Sequence, residues 1–200
     1  MFRRLKLHMR FWSVLLACAC LVLPGVVPKA AAHPHVFVDA TVDFVFGEDG
    51  LAGLNVRWTF DAMASTQYLM DLDVNGDGKL TAEEWATQRD DIAVFLAEER
   101  FFTHVAVNGQ PVFIPAIRDF VATFENGQLE YSFHAPLSVP NGADVLVAVF
   151  DPSYYTDFQV SEENIRLSGR PDGASFSLVD APDLAFYDGQ IIPLAAKVQF

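Results

Sequence analysis

Apolar and polar residues alternate along two neighbouring segments, residues 36–46 and 51–60. Between residues 36 and 46 every even position is apolar, whereas Asp39, Thr41 and Asp43 place polar side chains at odd positions. Successive side chains of a strand point to opposite faces, so this pattern predicts a strand with its apolar face turned inward. The turn residues Glu48-Asp49-Gly50 join it to the second segment, which predicts a β-hairpin.

Beyond residue 60 the pattern predicts two helices, at about 62–72 and 82–99, and then returns to short strands. Asn108-Gly109 is a strong hairpin turn, and residues 125–128 form another. The strands expected in this half of the chain are 104–107, 111–114, 119–124, 129–135, 144–150, 165–167, 174–179 and 192–200. Eighteen Phe among 200 residues suit apolar faces pressed between sheets. We therefore expect a mainly β fold, an antiparallel β-sandwich with a helix–loop–helix insert at about residues 61–99.

The N-terminal residues have the organisation of a secretory signal peptide. Four basic residues within positions 1–10 precede an apolar run from about 11 to 23, and Ala30-Ala31-Ala32 supplies small residues for cleavage. We expect residues 1–32 to be removed, leaving His33 at the start of a single domain, 33–200. The alternative is a lipoprotein processed at Cys18.

Charge and cysteine content narrow the classes of partner. The formal net charge is −13 at pH 7, and loss of residues 1–32 makes it more negative because that segment holds basic and no acidic residues. Nucleic acid is therefore a poor partner and cations are good ones. Both cysteines, Cys18 and Cys20, lie in the leader, so we expect a mature chain without thiols or disulfides.

Residues 73–84 match an EF-hand calcium loop at every ligand position. The oxygen donors are Asp73, Asn75, Asp77, the backbone carbonyl of Lys79, Thr81 through a bridging water, and Glu84 with both carboxylate oxygens. Gly78 stands where the chain must turn with positive φ. This spacing predicts a Ca²⁺ site; the alternative is a polar turn between two helices.

Only one such loop is visible in the sequence, whereas calcium sensors usually pair two of them over a Met-rich groove. We therefore expect the calcium ion to be structural, fixing the insert in a protein that acts elsewhere. An affinity of about 0.1–1 mM suffices in a calcium-rich compartment outside the cytoplasm.

His33-Pro34-His35 is a second candidate metal site. An N-terminal His can chelate through its α-amine and ring, an arrangement that suits Zn²⁺, Ni²⁺ or Cu²⁺. His33 and His35 point to the same side of an extended chain. A zinc site needs three or four ligands, so others must come from distant sequence, with Asp61, Asp151, His104 and His134 as candidates. The alternative is that both are polar residues at the start of a strand.

The chain resembles a set of bacterial periplasmic proteins often labelled as a periplasmic component of an ABC-type transport system and paired with nickel/cobalt-type permeases. The segments that carry the resemblance are, in order, 33–39 (HPHVFVD), 58–61 (WTFD) with Ser65, the loop 73–84, 101–103 (FFT) and 151–155 (DPSYY). The resemblance implies a periplasmic accessory protein in zinc or nickel uptake, with an inner-membrane cation permease as its partner. It also favours Asp61 and Asp151 over the other histidines as additional ligands.

We expect no enzyme activity, because no catalytic Gly-x-Ser-x-Gly, His-Glu-x-x-His or phosphate-binding pattern occurs. Two other functions remain open. One is a periplasmic copper carrier that uses the same histidines, and the other is a calcium-stabilised interaction domain without a transition metal. The sequence does not identify the metal, the direction of transport or the oligomeric state.

Overall fold

The alternating segments build two β-sheets. In a computed structural model of the protein, which describes residues 34–200, 48% of the described residues lie in strands and 22% in helices. The strands in chain order are β1 (Val36–Gly47), β2 (Gly50–Phe60), β3 (Thr103–Val107), β4 (Gln110–Val112), β5 (Arg118–Glu125), β6 (Gln128–Pro140), β7 (Asp144–Val149), β8 (Thr156–Gln159), β9 (Ile165–Ser168), β10 (Ser175–Asp180) and β11 (Leu194–Gln199). The expectation of a mainly β, sandwich-like α+β fold is confirmed.

The first sheet has the order β5-β6-β2-β1-β8, and β9 also pairs with β1. Its hairpins are antiparallel, whereas β8 and β9 run parallel to β1. The second sheet has the order β10-β11-β7-β3-β4 and is antiparallel throughout. In its β3–β4 hairpin Asn108 and Gly109 both adopt positive φ, 50° and 75°, as a tight two-residue turn requires.

The β1–β2 hairpin buries its even-numbered residues, as the alternation predicts. Val38 and Phe44 are buried, while Phe37 is exposed. Aromatic rings connect the core: Trp58 of β2 lies 5.2 Å from Phe158 of β8 and 6.0 Å from Phe102, measured between ring centroids. Burial of such large side chains supplies much of the free energy that holds the fold together.

Two helices follow β2: α1 (Ala62–Leu72) and α2 (Ala82–Glu98). Asp61 caps the N-terminus of α1, and Thr81 and Glu84 form a capping box at the start of α2. Trp85 of α2 is buried against the first sheet, where its Nε1 donates a hydrogen bond to the carbonyl of Phe120 at 3.2 Å. Within residues 34–200, no helix is long and apolar enough to cross a membrane.

The sequence-based prediction differs from the structure at a few strands. Strand β8 was not expected, because its sequence Thr-Asp-Phe-Gln holds one apolar residue and shows no alternation, whereas Ile165 and Leu167 alternate with polar residues in β9. At the C-terminus β11 begins at Leu194 rather than at residue 192, since Pro193 lacks the N–H group that a sheet ladder needs.

Ser65 joins α1 to two strands of the first sheet. This fully buried side chain donates a hydrogen bond to the carbonyl of Phe60 at 3.1 Å and accepts one from the backbone N–H of Leu129 at 2.9 Å. The hydroxyl therefore satisfies two backbone groups of β2 and β6 at the point where the helical insert begins.

Replacing Ser65 by Ala should lower the free energy of unfolding by about 1–3 kcal/mol, because two buried backbone groups lose their partner. Urea denaturation followed by circular dichroism measures the change. Thr66→Ala is the matched control, since the exposed hydroxyl of Thr66 bonds only within α1, to the carbonyl of Ala62. Equal midpoints for the two variants would contradict a linking role for Ser65.

Candidate functional site

The loop between α1 and α2 wraps around the side chain of Asp73. Its Oδ1 accepts hydrogen bonds from the backbone N–H groups of Gly76 at 2.7 Å and Asp77 at 3.2 Å, and its Oδ2 accepts one from Gly78 at 2.7 Å. The turn requires Gly78, whose φ is +80°, a conformation costly for residues with a Cβ atom. Three successive contacts thus curve the backbone around one carboxylate.

The next two side chains continue the same pattern along the loop. The Oδ1 atom of Asn75 accepts from the N–H of Asp77 at 2.9 Å, and the Oδ1 atom of Asp77 accepts from the N–H of Lys79 at 3.0 Å. Each of these oxygens is held in place by the backbone N–H group two residues ahead. Both hydrogen bonds lie within the loop and orient its side chains.

Glu84 closes the loop from the first turn of α2. Its Oε2 accepts from the hydroxyl of Thr81 at 2.7 Å and from the Thr81 N–H at 3.0 Å, while Oε1 accepts from the N–H of Asn75 at 3.2 Å. The hydrogen bond from the Thr81 hydroxyl is the largest of the causes that lower the pKa of Glu84. The carboxylate therefore stays ionised to a lower pH than an ordinary glutamate and ties the two ends of the loop together.

The donor set fits a calcium ion, since every candidate ligand is an oxygen. A carboxylate has about four lone-pair positions, so the three hydrogen bonds to Asp73 leave one for a cation. Within residues 34–200, no group of three or more His, Cys, Asp or Glu side chains is arranged to hold a metal ion, so Asp73, Asp77 and Glu84 do not form one.

The second candidate site lies at the start of β1. His33 is outside the described residues. His35 has an exposed side chain; its backbone N–H donates to the carbonyl of Tyr155 at 2.9 Å, and its ring lies 5.0 Å from the Tyr155 ring. The segment that precedes β8 thus lies directly beside the His35 end of β1.

Asp61 accepts three backbone hydrogen bonds at the end of β2. Its Oδ1 accepts from the N–H groups of Met63 at 2.8 Å and Ala64 at 3.0 Å, and its Oδ2 accepts from the Phe37 N–H at 2.9 Å. Desolvation raises the pKa of Asp61, but the three hydrogen bonds outweigh it and the pKa is lowered overall. Asp61 is therefore a helix cap that also binds β1.

Asp151 organises the turn between β7 and β8. Its buried carboxylate accepts from the Ser153 N–H at 2.8 Å and the Ser153 hydroxyl at 2.7 Å through Oδ1, and from the Thr156 N–H at 3.0 Å through Oδ2. Thr156 in turn pairs with Val36 of β1. Asp151 thus fixes the parallel start of β8, just beyond His35.

The structure brings His35, Asp61 and Asp151 to one end of the first sheet but does not assemble them as metal ligands. Tyr68 of α1 lies near the same end and was missed by sequence analysis. Burial is the largest cause that raises the pKa of Tyr68, and electrostatic interaction with Tyr155, Asp61 and Asp151 raises it further. No local sequence pattern singles out Tyr68, because its neighbours come from distant segments.

His104 and His134, the other ligand candidates, are engaged in the two sheets. His104 stacks on Phe150 with ring centroids 3.9 Å apart, and burial lowers its pKa. His134 lies over Gly53 on the first sheet, and its Nδ1 is 2.8 Å from Oδ1 of Asn55. These contacts favour packing roles for both histidines.

Comparison with known proteins gives relatives whose own functions are not described. An uncharacterized 15.5 kDa protein in the trpE 3′ region of Spirochaeta aurantia is 28% identical over 134 residues, which cover 65% of this chain and 96% of that protein. An uncharacterized protein of Haemophilus influenzae is 26% identical over 129 residues, covering 62% of this chain and 61% of its own length. No solved structure shows a significant match.

At the level of families, residues 15–196 match a family described as proteins of unknown function, DUF1007. This match includes the strands up to the first residues of β11, the loop 73–84 and the segments around His35, Asp61 and Asp151. The chain therefore belongs to the DUF1007 family.

Proposed function

We propose that the protein is an exported, periplasmic metal-handling protein that binds one structural calcium ion and carries a transition metal for a membrane cation permease. The observation that carries the calcium part is the loop of residues 73–84, whose oxygen side chains are oriented by nine backbone and hydroxyl hydrogen bonds. The transport part rests on the resemblance to periplasmic components paired with nickel/cobalt-type permeases.

In this proposal calcium acts on the helical insert. Asp73 directly follows α1, whereas Glu84 lies in the first turn of α2. An ion bound to both carboxylates would neutralise the acidic loop and link the two helices. Its free energy of binding would then add to the stability of the insert, as with any ligand that binds the folded state alone.

The substitution Glu84→Gln should abolish stabilisation by calcium. Gln at this position can still form the capping box of α2 but cannot supply a bidentate carboxylate. If the dissociation constant is about 0.1 mM, then 10 mM calcium stabilises the unaltered protein by about 2.7 kcal/mol. Urea denaturation with and without calcium measures the effect.

Glu83→Gln is the matched control, because it removes the same charge from the neighbouring, exposed position. This variant should keep the full response to calcium. Magnesium at equal ionic strength controls for screening of the acidic surface. The calcium proposal fails if both variants respond alike, or if the unaltered protein does not respond.

The proposed transition-metal site uses the ring nitrogens of His33 and His35. The observation in its favour is that the His35 end of β1 lies beside two carboxylates, Asp61 and Asp151. Their backbone hydrogen bonds leave them with a supporting role, in which they place negative charge near the metal and hold the start of β1. Zinc and nickel are the proposed ions; a copper carrier with the same two histidines differs only in which metal binds tightest.

Zinc binding should be strong at about pH 8 and lost by about pH 5, because histidine ligands must be neutral to bind a metal. Calcium binding should persist at about pH 5, where most carboxylates remain ionised. Isothermal titration of a chain that begins at His33 measures both ions separately. A flat zinc affinity across this range, or full zinc binding by the His33→Ala/His35→Ala variant, would favour the calcium-stabilised interaction domain instead.

A further inference from the structure

A cavity of about 650 Å³ lies between the helical insert and the first sheet. Its walls come from α1, α2, strands β2, β6 and β8 and the turn before β8, so it lies beside the His35 end of β1. None of the candidate calcium ligands lines it. The volume falls in the range of small-molecule sites in proteins, about 300–1,000 Å³.

The inner wall of the cavity is aromatic. Eight aromatic side chains line the cavity, and five of them form this wall: Trp58, Phe60, Phe102, Tyr131 and Phe158. These rings form two contacting groups, since Trp58 and Phe102 each pack against Phe158 at 5.2 and 5.4 Å, and Phe60 packs against Tyr131 at 5.1 Å. The face of an aromatic ring carries partial negative charge and attracts cations.

The remaining lining residues give the cavity a negative charge. Asp71, Glu99 and Asp151 contribute carboxylates, and none of the lining residues within the described part of the chain is Lys or Arg. Burial raises the pKa of Tyr131, and it is also the first cause of the raised pKa of Tyr68, so both phenols remain neutral hydroxyl groups. The three carboxylates would repel an anionic ligand.

An apolar side chain of α2 lies at the edge of the cavity and is partly exposed to solvent. Phe95 lines the cavity although 54% of its surface remains exposed, whereas its neighbour Val94 is 63% exposed and does not line it. A bulky aromatic side chain left half in solvent at the edge of a cavity can cover a bound apolar group.

We propose that this cavity binds an organic cation with an apolar body, such as an alkylammonium ion or an aryl-alkyl amine. The apolar body would contact the aromatic wall and Phe95, and the ammonium group would lie near Glu99 and Asp71. The inference does not rest on calcium, because none of the loop ligands lines the cavity. Asp151 is shared with the surroundings of the proposed transition-metal site, but neither His35 nor Asp61 lines the cavity, and the ammonium position uses other carboxylates.

Three probes with one apolar body and different charges test the proposal: phenylbutylamine, phenylbutanol and phenylbutanoate. Isothermal titration and tryptophan fluorescence, to which Trp58 in the cavity contributes beside Trp85, measure their affinities for residues 33–200, which form one compact unit. The amine should bind about ten-fold more tightly than the alcohol, because it adds cation–π and carboxylate attraction. The carboxylate should bind more weakly than the alcohol.

Two pairs of variants locate the binding. Glu99→Gln should reduce the preference for the amine over the alcohol several-fold, while Glu98→Gln, which removes the same charge at the adjacent position outside the cavity, should leave it unchanged. Phe95→Ala should weaken both probes, and Val94→Ala should weaken neither. Urea midpoints verify that all four variants are folded, and a variant that fails this check is replaced by Asp71→Asn.

Equal affinity for all three probes would overturn the proposal, as would an absence of binding. A preference for the amine that survives both Glu99→Gln and Asp71→Asn would also overturn it. The ammonium group would then be bound by carboxylates elsewhere on the acidic surface. An unaltered protein that shows no stabilisation by calcium could still prefer the amine, so the two proposals fail independently.

Discussion

The hydrogen bonds of Asp61 and Ser65 decide where the helical insert leaves the first sheet, and the other features of the protein depend on that junction. Asp61 caps α1 with one carboxylate oxygen and binds the Phe37 N–H of β1 with the other. One turn later, Ser65 binds backbone groups of β2 and β6. Because these groups lie on three strands, α1 has one orientation, and the loop, α2 and the cavity wall follow from it.

The C-terminus of α1 contributes both to the calcium loop and to the cavity. Gln88 of α2 donates from its Nε2 to the carbonyls of Asp71 and Leu72 at 3.2 Å, at the C-terminus of α1. These three residues all line the cavity, and Asp73 of the loop follows immediately. Any ion that tightens the loop acts on the same contact between helices that shapes the cavity.

Most of the fold could be predicted because its elements depend on residues close together in sequence. Features that depend on contacts between distant segments could not be predicted. The β1–β2 hairpin, the Asn108-Gly109 turn and both helices follow from alternation, turn residues and caps that lie within a few positions of one another. The calcium ligands of the loop 73–84 also come from local spacing and stay a prediction; what the structure adds is a set of loop hydrogen bonds between residues at most nine apart. Strand β8 was missed, and with it the reason that Asp151 lies beside His35, because that pairing joins residues more than 100 positions apart. The cavity was missed for the same reason: its wall combines Trp58, Leu96 and Phe158, each of which resembles an ordinary core residue in its own segment.

The binding of calcium by residues 73–84 is the claim on which the account of the insert depends, and the backbone amide of Gly78 reports on it most directly. This N–H donates to Oδ2 of Asp73 at 2.7 Å, so an ion bound to that carboxylate must change its magnetic environment. Proton–nitrogen correlation spectra of the chain from His33, recorded during a calcium titration, follow every amide at once. The account predicts a saturable shift of the Gly78 resonance, with further changes concentrated in the loop and the adjoining turns of the two helices. A Gly78 resonance that stays in place at millimolar calcium, or changes scattered over the acidic surface, would contradict it.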